Sequence, residues 1–195
     1  MIINREQLKE VSGSDYYCGG ILHNRFSYKF FRKNVNMAGD IVAFIAPMRV
    51  EENLIDLEDA ISNDFIYSDS AMNLLIEIPN IDLFAGVCFQ RLYNAQLGSL
   101  LCTKYLNKEG YVDGDDIMIK DGEEFKKVSV SIASKKNDAV LIHVGINIEA
   151  GSKAPSFAYS THLSEEKANE FMTEAIAMFR SMITDIHIAT TKVIA

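Results

Sequence analysis

Residues 114–149 carry the most regular alternation of apolar and polar positions in the chain. Apolar residues occupy every second position in residues 127–133, and again in residues 140–149. Alternation with a period of two is typical of half-buried β-strands. The loop at residues 134–138 is short enough to join these strands as an antiparallel hairpin, and residues 115–119 form a further strand before them. The pattern therefore predicts three short strands joined by two turns.

One face of the predicted hairpin carries polar and very small side chains. Pairing near Ala133 and Ala139 aligns this face as Lys127 opposite Gly145, Ser129 opposite His143 and Ser131 opposite Leu141, with Asn147 beyond them. A solvated surface of an antiparallel sheet has this polar character, and so does a ligand-binding surface. Gly145 favours the interpretation as a ligand-binding surface, because glycine weakens a strand interior and often marks the close approach of a ligand or another backbone. The alternation by itself leaves both interpretations open.

Two helices are predicted to frame the sheet. Residues 82–105 repeat apolar residues near the helical period, and Asp82 suits a helix start. A second helix begins after Ser164, an N-cap residue that is followed by two acidic residues favourable to the helix dipole. The apolar residues that repeat along the first helix are Leu83, Phe84, Val87, Cys88, Leu92, Ala95 and Leu101. The predicted buried stripe of the second helix is Ala168, Phe171, Met172, Ala175, Ile176, Phe179, Met182 and Ile183.

Further elements complete a mixed architecture. A shorter helix is predicted at residues 51–62, and strands are predicted at residues 41–46 and 72–78. Helices packed on a mainly antiparallel sheet define an α+β fold. No repeat, low-complexity tract or linker divides the chain, so residues 1–195 are predicted to form a single domain.

Composition and cysteine content narrow the class of protein. Apolar residues make up 48% of the chain, yet no run approaches the roughly 18 consecutive apolar residues of a membrane span. Arg5 and Glu6 interrupt the start of the chain, which does not resemble a secretory signal. Cys18, Cys88 and Cys102 are odd in number and irregularly spaced, which argues against a disulfide framework; the latter two are expected to be buried on the first long helix. We therefore expect a cytoplasmic protein without a membrane partner.

The formal net charge of −8 argues against nucleic-acid binding, which requires a basic surface. One segment nevertheless interleaves Arg25, Lys29, Arg32 and Lys33 with aromatic residues. Such a segment can stack on bases, or its aromatic residues can anchor it while the charges face water. The second interpretation agrees better with the acidic chain.

The order of motifs in the second half of the chain resembles the core of the biotin and lipoate protein ligases. A strand that contains Asp115 and Asp116 is followed by Lys127 with a serine-rich strand, and then by residues 144–149 with the sequence VGINIE. In those ligases, the corresponding lysine contacts the acyl-adenylate. The resemblance implies a fold like that of the class II aminoacyl-tRNA synthetases.

Over nearly the whole chain, the sequence resembles more closely the family called domain of unknown function 366, for which we expect the same ligase-like fold. Several motifs in the same order carry this resemblance. They lie at residues 39–50, 55–59, 68–72, 90–92, 114–116, 127–133 and 189–193.

The chain also departs from both patterns. Neither the Gly-Arg-rich loop of biotin ligases nor the Arg-Arg segment of lipoate ligases occurs before Asp115, and Val130 stands where those ligases have glycine. Near the N-terminus, the sequence Tyr-Cys-Gly-Gly at residues 17–20 replaces the Tyr-Asp-Gly-Ser motif that is expected of the closer family. These differences bear on the adenylation reaction and on the role of the N-terminal loop.

Three side chains are the predicted catalytic residues. Lys127 would hold a carboxylate or the developing charge of an acyl-phosphate, and Lys126, on the other face, serves as its control. Arg91 lies in the middle of the first long helix and is directed either at an anionic ligand, such as a phosphate, or at a buried carboxylate. His143 is either a general base or a hydrogen-bonded structural residue.

The predicted ligand-binding residues come from the same segments. Asp115 and Asp116 either orient a magnesium ion or an amine or belong to a turn. Glu77 shares a segment with two of the predicted residues and is expected to line the same pocket. No spacing of histidines and cysteines suggests a metal cluster. The complete set is Asp69, Ser70, Gln90, Asp115, Asp116, Ser129, Ser131, Gly145 and Asn147.

These residues and the resemblance together predict a ligase-like protein that binds a small carboxylate with ATP and Mg²⁺, and that activates or transfers an acyl group. Two other functions stay open. One is a non-catalytic binding module that kept the pocket and lost the phosphate loop, and the other is an RNA-linked relative of the synthetases that uses residues 25–33. A homodimer is compatible with the sequence.

Overall fold

The computed structural model describes residues 1–23, 25–31, 38–50, 61 and 65–192. The helix predicted at residues 51–62 lies outside the described residues, apart from Ile61, and so do Arg32 and Lys33 of the basic segment. The elements in chain order are α1 (Arg5–Ser12), α2 (Phe26–Phe31), β1 (Asp40–Val50), β2 (Ile66–Pro79), α3 (Leu83–Leu100) with a following π-helical turn (Leu101–Leu106), β3 (Gly110–Asp113), β4 (Asp116–Asp121), β5 (Glu124–Lys127), β6 (Ser129–Lys136), β7 (Ala139–Glu149) and α4 (Glu165–Thr190).

The strands form two antiparallel sheets. The large sheet has the order β1-β2-β7-β6, and the small sheet has the order β3-β4-β5. Strands β1 and β2 contain the predicted strands at residues 41–46 and 72–78 and extend both of them. The prediction of an α+β fold with a mainly antiparallel sheet is confirmed.

The large sheet is covered on both faces. Helices α3 and α4 pack on one face through aromatic residues such as Phe89 and Phe179. The N-terminal segment, which includes α1 and α2, covers the other face through residues such as Leu8, Tyr17 and Phe26. Strand β7 is buried at every position except its last, because both of its faces meet packed layers. Among the described residues, no helix has the length and apolar character that a membrane crossing requires.

Helix α4 has the predicted start and the predicted buried face. The Ser164 side chain accepts a hydrogen bond from the N–H of Lys167 at 3.3 Å, and Glu165 and Glu166 follow in the first turn. All eight residues of the predicted stripe are buried. The prediction is confirmed because the helix is apolar along one side only, so only one orientation buries its apolar surface.

Helix α3 begins after Asp82 as predicted, but its repeating apolar residues do not form its buried face, and the predicted burial of Cys88 is wrong. Phe84 is 81% exposed, Leu92 is 49% exposed, and Cys88 is exposed as well. The burial of Cys102 is confirmed. The residues of α3 that are buried are Gly86, Phe89, Gln90, Tyr93, Asn94, Leu97 and Gly98.

Two glycines explain which side of α3 faces the sheets. A Cβ at Gly86 would collide with Val140, and a Cβ at Gly98 would lie 2.9 Å from Val112. The helix backbone therefore lies closer to the strands on this side than a residue with a side chain allows. Apolar residues on the opposite side stay exposed, although their spacing is also helical.

The hairpin of β6 and β7 forms, but its predicted register is wrong. Lys136 pairs with Ala139 across a two-residue turn, in which Asn137 adopts the left-handed backbone at φ 55°. Ala133 consequently pairs with Ile142 and not with a residue near Ala139. The difference is an odd number of residues, which transfers the side chains of one strand to the other face of the sheet.

The corrected register divides the polar face that the sequence predicted. Ser129 and Ser131 pair with core residues of β7 and point toward α3 and α4. His143, Gly145 and Asn147 point to the opposite side, where the N-terminal segment packs. The predicted single surface for these five residues is therefore wrong.

Candidate functional site

A buried amide network links α3 to the turn before β4. Gln90 is 3% exposed, and its Nε2 donates hydrogen bonds to Ser131 Oγ at 2.7 Å and to Asp115 Oδ2 at 3.3 Å. Ser131 Oγ in turn donates to the carbonyl of His143 at 3.0 Å. Asn94, one helical turn further along α3, donates from Nδ2 to the carbonyl of Asp115 at 2.9 Å. The fold thus brings together three predicted site residues, Gln90, Ser131 and Asp115.

Two ion pairs lie side by side at this turn. Arg91 Nη1 is 3.3 Å from Asp115 Oδ1, and Lys127 Nζ is 2.9 Å from Asp116 Oδ1. The four side chains are 30–48% exposed. Gly114 precedes the two aspartates with a left-handed backbone at φ 61°, and a Cβ there would lie 2.7 Å from Arg91 Nη1. The turn therefore requires glycine for its conformation, whereas the guanidinium, at the end of a flexible side chain, could move aside.

The pKa of the Asp115 carboxyl lies above its usual range. Burial raises the pKa of Asp115, and the charge of Asp116 raises it further, while Arg91 and Lys127 offset these effects only in part. In proteins, Mg²⁺ is bound by one or two carboxylates together with water and substrate phosphates, and the two aspartates fit that donor set. Within the described part of the chain, no cluster of three or more His, Cys, Asp or Glu side chains forms a metal site by itself.

The backbone of Lys127 is held from both directions. Its N–H donates to the carbonyl of Phe157 at 2.9 Å, and its carbonyl accepts from the N–H of Tyr159 at 2.7 Å. Val128, the next residue, is fully buried on the side of the helices. Since neighbouring residues of an extended chain point to opposite sides, the Lys127 side chain points away from the helices. Its ammonium is therefore presented from a rigid segment.

Ser129 connects the two sheets. It is 1% exposed, and its Oγ accepts a hydrogen bond from the N–H of Ile117 at 2.8 Å. The N–H of Val128 donates to the carbonyl of the same Ile117 at 2.9 Å. The Ser129 hydroxyl is thus engaged in holding β4 against β6.

His143 lies on the opposite face of the sheet from Ser129 and Ser131. Its Nε2 is 3.0 Å from Asn73 Oδ1, and its ring stacks on Tyr17 at a centroid distance of 3.6 Å. Burial lowers the pKa of His143 to about 3, so the imidazole is neutral at pH 7. These contacts favour the interpretation of His143 as a hydrogen-bonded structural residue over its interpretation as a general base.

The close approach that Gly145 indicates is made by Met48. A Cβ on Gly145 would collide with the Met48 sulfur, so the absent side chain makes room for a core residue. Asn147 lies on the same face, is 6% exposed and pairs with Ala71 of β2. No described residue forms a hydrogen bond with the Asn147 side chain.

Asp69 and Ser70 lie near the start of β2, beside the end of β7. Asp69 Oδ1 accepts a hydrogen bond from the hydroxyl of Tyr67 at 2.8 Å, and Ser70 pairs with the last residue of β7. The start of β6, directly after Lys127, lies at the same end of the sheet. Glu77 lies at the opposite end of β2 and contacts α2, so its predicted place in the same pocket is wrong.

The described part of the basic segment is built into the fold. Arg25 pairs with Asp138 at 2.5 Å. Phe26 is fully buried, and Phe30 and Phe31 pack against the same core. These contacts favour the interpretation in which the aromatic residues anchor the segment.

Three residues, one in the amide network and two over the Tyr67 ring, escaped the sequence analysis. Asn94 is four residues from Gln90, and a pair of amides at helical spacing is the signal that would have found it. Arg49 and Lys153 both lie over the ring of Tyr67. They come from distant segments, and no sequence pattern relates them.

Comparison with known proteins places the chain in a family. The family model described as Domain of unknown function (DUF366) matches residues 9–194. A protein of unknown function from Pyrococcus horikoshi has the same fold, with a TM-score of 0.77 and 24% identity over 92% of each chain. No curated protein sequence matches the chain.

Ligases also occur among the similar solved structures. Lipoate-protein ligase A bound with ATP is 16% identical over 76% of each chain, with a TM-score of 0.48. A biotin acetyl coenzyme A carboxylase synthetase from Helicobacter pylori, with bound biotinylated ATP, is 9% identical, with a TM-score of 0.41 over 78% of this chain and 66% of that chain. Lipoate and biotin ligases are thus among the similar structures, as the sequence predicted. At such low sequence identity, the likeness concerns the fold alone. Since the family model spans nearly the whole sequence, the chain belongs to the DUF366 family.

Proposed function

We propose that this protein binds a small carboxylate and ATP at the turn between β3 and β4 and activates the carboxylate. The observation that carries the proposal is the adjacency of two ion pairs, Arg91 with Asp115 and Lys127 with Asp116. Each cation is positioned by a carboxylate and keeps part of its surface in solvent, so an anionic ligand can reach both. We further propose that residues 1–195 act as one domain.

The two cations have different tasks in this proposal. Lys127 binds the ligand carboxylate, because its clamped backbone presents the ammonium with little need for reorganisation. Arg91 binds phosphate, because a guanidinium donates two parallel hydrogen bonds to phosphate oxygens. In the reaction, a carboxylate oxygen bonds to the α-phosphorus of ATP and pyrophosphate leaves. The two cations stabilise the negative charge on the phosphate oxygens.

Asp115 and Asp116 are the residues that would hold Mg²⁺. When bound, the ion would neutralise part of the phosphate charge. The pKa of Asp115 is raised by burial first and by the charge of Asp116 second, and a divalent cation would relieve the second of these effects. The buried Oδ1 of Asn94 has no hydrogen-bond partner among the described residues.

ATP–pyrophosphate exchange with a panel of small carboxylates tests the proposal. We expect the wild type to exchange with at least one carboxylate. Arg91→Met should weaken nucleotide binding by roughly tenfold to a hundredfold, the effect of losing a charge-assisted contact of about 1.5–3 kcal/mol. Methionine keeps much of the apolar stem, so the melting temperature should stay normal. Arg180→Met removes an exposed arginine of α4 and is the matched control.

Other outcomes identify other functions. A wild type that binds carboxylates and never exchanges pyrophosphate would be a binding module. An Arg91→Met variant that unfolds would make Arg91 a structural partner of Asp115. Mass spectrometry of small molecules retained through native purification would name the carboxylate.

A further inference from the structure

Strand β6 is the outer strand of the large sheet, and among the described strands only β7 pairs with it. The N–H of Asn147 in β7 donates to the carbonyl of Val128 at 2.9 Å, and hydrogen-bonded pairs recur at every second residue of an antiparallel ladder. The backbone groups of Ser131, Ala133 and Lys135 therefore point away from β7. No described residue forms a hydrogen bond with these outward groups. Such an unpaired edge is a template for pairing with another strand.

An apolar side of α3 stays in solvent above the same edge. Helix α4 packs on β1 and β2, whereas α3 packs on β7 and β6. The hydroxyl of Tyr93 in α3 donates to the carbonyl of Ala175 in α4 at 2.8 Å, so the side of α3 opposite Tyr93 lies toward the edge of the sheet. Phe84, Cys88 and Leu92 are exposed on that side, at helical spacing. A contiguous exposed apolar patch of this kind marks an interaction surface.

Helix α3 lacks the charge that keeps copies of an acidic protein apart. The whole chain has a formal net charge of −8, but residues 83–106 contain no Asp or Glu. Electrostatic repulsion between two copies is therefore weak where their α3 helices meet.

The two ends of the β6 edge have opposite charge. Lys135, at one end, is exposed and forms no ion pair with a described residue. At the other end, Ser131 is linked through Gln90 to Asp115. The turn at residues 113–116 carries three aspartates against two paired cations, so it has one negative charge in excess. Antiparallel pairing of two such edges places the basic end of each beside the acidic end of the other, so the edge is complementary to itself.

We propose that a second copy of this chain binds at this edge, through antiparallel pairing of the two β6 strands and packing of the two α3 helices. A two-fold axis at Ala133 pairs this residue with its equivalent and sets Lys135 opposite Ser131 of the partner subunit. Like charges directly opposite each other would be unfavourable, and in this register no two lysines face each other. The two four-stranded sheets become one continuous sheet, and the same patch is used on both copies, as two-fold symmetry requires. No ligand takes part, so the dimer stands whether or not the turn activates a carboxylate.

Sedimentation velocity of the full chain over a range of concentrations tests the dimer. We expect the wild type to sediment with twice the mass of the chain. Phe84→Glu places a charge in the apolar contact and should weaken association by about tenfold or more. Because Phe84 is 81% exposed, this variant should fold normally. Ile188→Glu changes an apolar residue of α4 that is 50% exposed, and this matched control should remain a dimer.

Ala133→Pro tests the pairing of the strands. The N–H that proline lacks points outward at this position, so the substitution breaks no hydrogen bond to β7. The approaching strand loses a donor and meets the proline ring. The variant should be monomeric at concentrations where the wild type is a dimer, and its far-UV circular dichroism should match that of the wild type.

Cysteine cross-linking measures the register of the two strands. In a background with Cys88→Ser, which removes the exposed thiol of α3, a short bismaleimide should join Ala133→Cys to its equivalent, because directly opposite Cβ atoms lie about 5 Å apart. Lys135→Cys should not be joined to its equivalent, since the two positions are separated by about 13 Å along the strands.

Three results would overturn the proposal. The first is a wild type that stays monomeric at the highest concentration tested. The second is a dimer that persists in both folded variants, Phe84→Glu and Ala133→Pro. The third is a dimer cross-linked through Lys135→Cys and not through Ala133→Cys. A wild type that exchanges no pyrophosphate, but whose dimer depends on Phe84 and Ala133, would retain this interface and overturn only the proposed activation of a carboxylate.

Discussion

The ring of Tyr17 lies flat on the imidazole of His143, with centroids 3.6 Å apart and planes 11° from parallel. Tyr17 is 2% exposed and His143 is 1% exposed. The imidazole also contacts Asn73, whose Nδ2 donates to the carbonyls of Ala46 and Ala71 at 3.1 Å. This stack attaches the N-terminal segment to the centre of the large sheet, so His143 acts in holding two layers together.

His143 makes the stability of the protein depend on pH. Burial lowers its pKa from 6.5 to about 3 in the folded state, so between these values the unfolded chain binds a proton that the folded chain does not. The stabilisation is therefore complete above about pH 6.5 and is lost progressively as the pH falls toward 3, by at most about 1.4 kcal/mol per pH unit. Urea unfolding at several pH values measures this slope.

A matched pair of variants assigns the slope to this residue. His143→Gln should flatten the pH dependence below pH 6.5, whereas His187→Gln, at an exposed position of α4, should leave it unchanged. An NMR titration in which the His143 imidazole of the folded protein protonates near pH 6.5 would contradict the argument.

Gly145 is required by packing against Met48. Because a Cβ at position 145 would collide with the Met48 sulfur and lie 3.1 Å from His143 Cε1, Gly145→Ala should destabilise the protein by about 1–3 kcal/mol, and Gly145→Val by more. Met48→Ala opens the same space and should cost about 2–5 kcal/mol on its own. The double variant Gly145→Ala with Met48→Ala should lose less than the sum of the two. Additive free energies of unfolding in a double-mutant cycle would show that the two side chains do not compete.

Lys127 and Lys126 form a test pair on adjacent positions. Lys127 pairs with Asp116 at 2.9 Å, and Lys126 pairs with Asp121 at 2.7 Å on the other face. Lys127→Met should weaken carboxylate binding by roughly tenfold to a hundredfold, and Lys126→Met should leave it unchanged. Both should melt near the wild-type temperature, because ion pairs near the surface contribute little to stability. If the carboxylate raises the melting temperature of Lys127→Met as much as that of the wild type, the carboxylate binds elsewhere.

Glu77 anchors the start of α2 to the sheet. It is 3% exposed, and it accepts hydrogen bonds from the N–H of Arg25 at 2.8 Å, the N–H of Ser27 at 3.0 Å and the Ser27 hydroxyl at 2.6 Å. Glu77→Gln places an amide N–H₂ against these donors and should cost about 1–3 kcal/mol of stability. Glu170→Gln, which breaks only an exposed pair with Lys167, should cost little in the same chemical denaturation experiment. Similar losses for both variants would contradict the anchoring role.

The sequence by itself determined the features that depend only on residues close to one another along the chain. The eight buried residues of α4 follow from one-sided periodicity, and the cap at Ser164 follows from local chemistry. The hairpin of β6 and β7 follows from alternation, since the period of two is a property of each strand alone. The resemblance to the ligases named Asp115, Asp116 and Lys127 as candidate site residues, and the structure places their side chains in one cluster of charges.

Only the tertiary structure decided how these elements meet. The two-residue turn at Asn137 set the register of β6 on β7, and one odd shift moved Ser129 and Ser131 to the face opposite His143. Helix α3 carries apolar residues on two sides, and the close approach allowed by Gly86 and Gly98 selected the buried one. Pairing across a turn and contact between distant backbones depend on the whole chain, and for that reason no local pattern contains them.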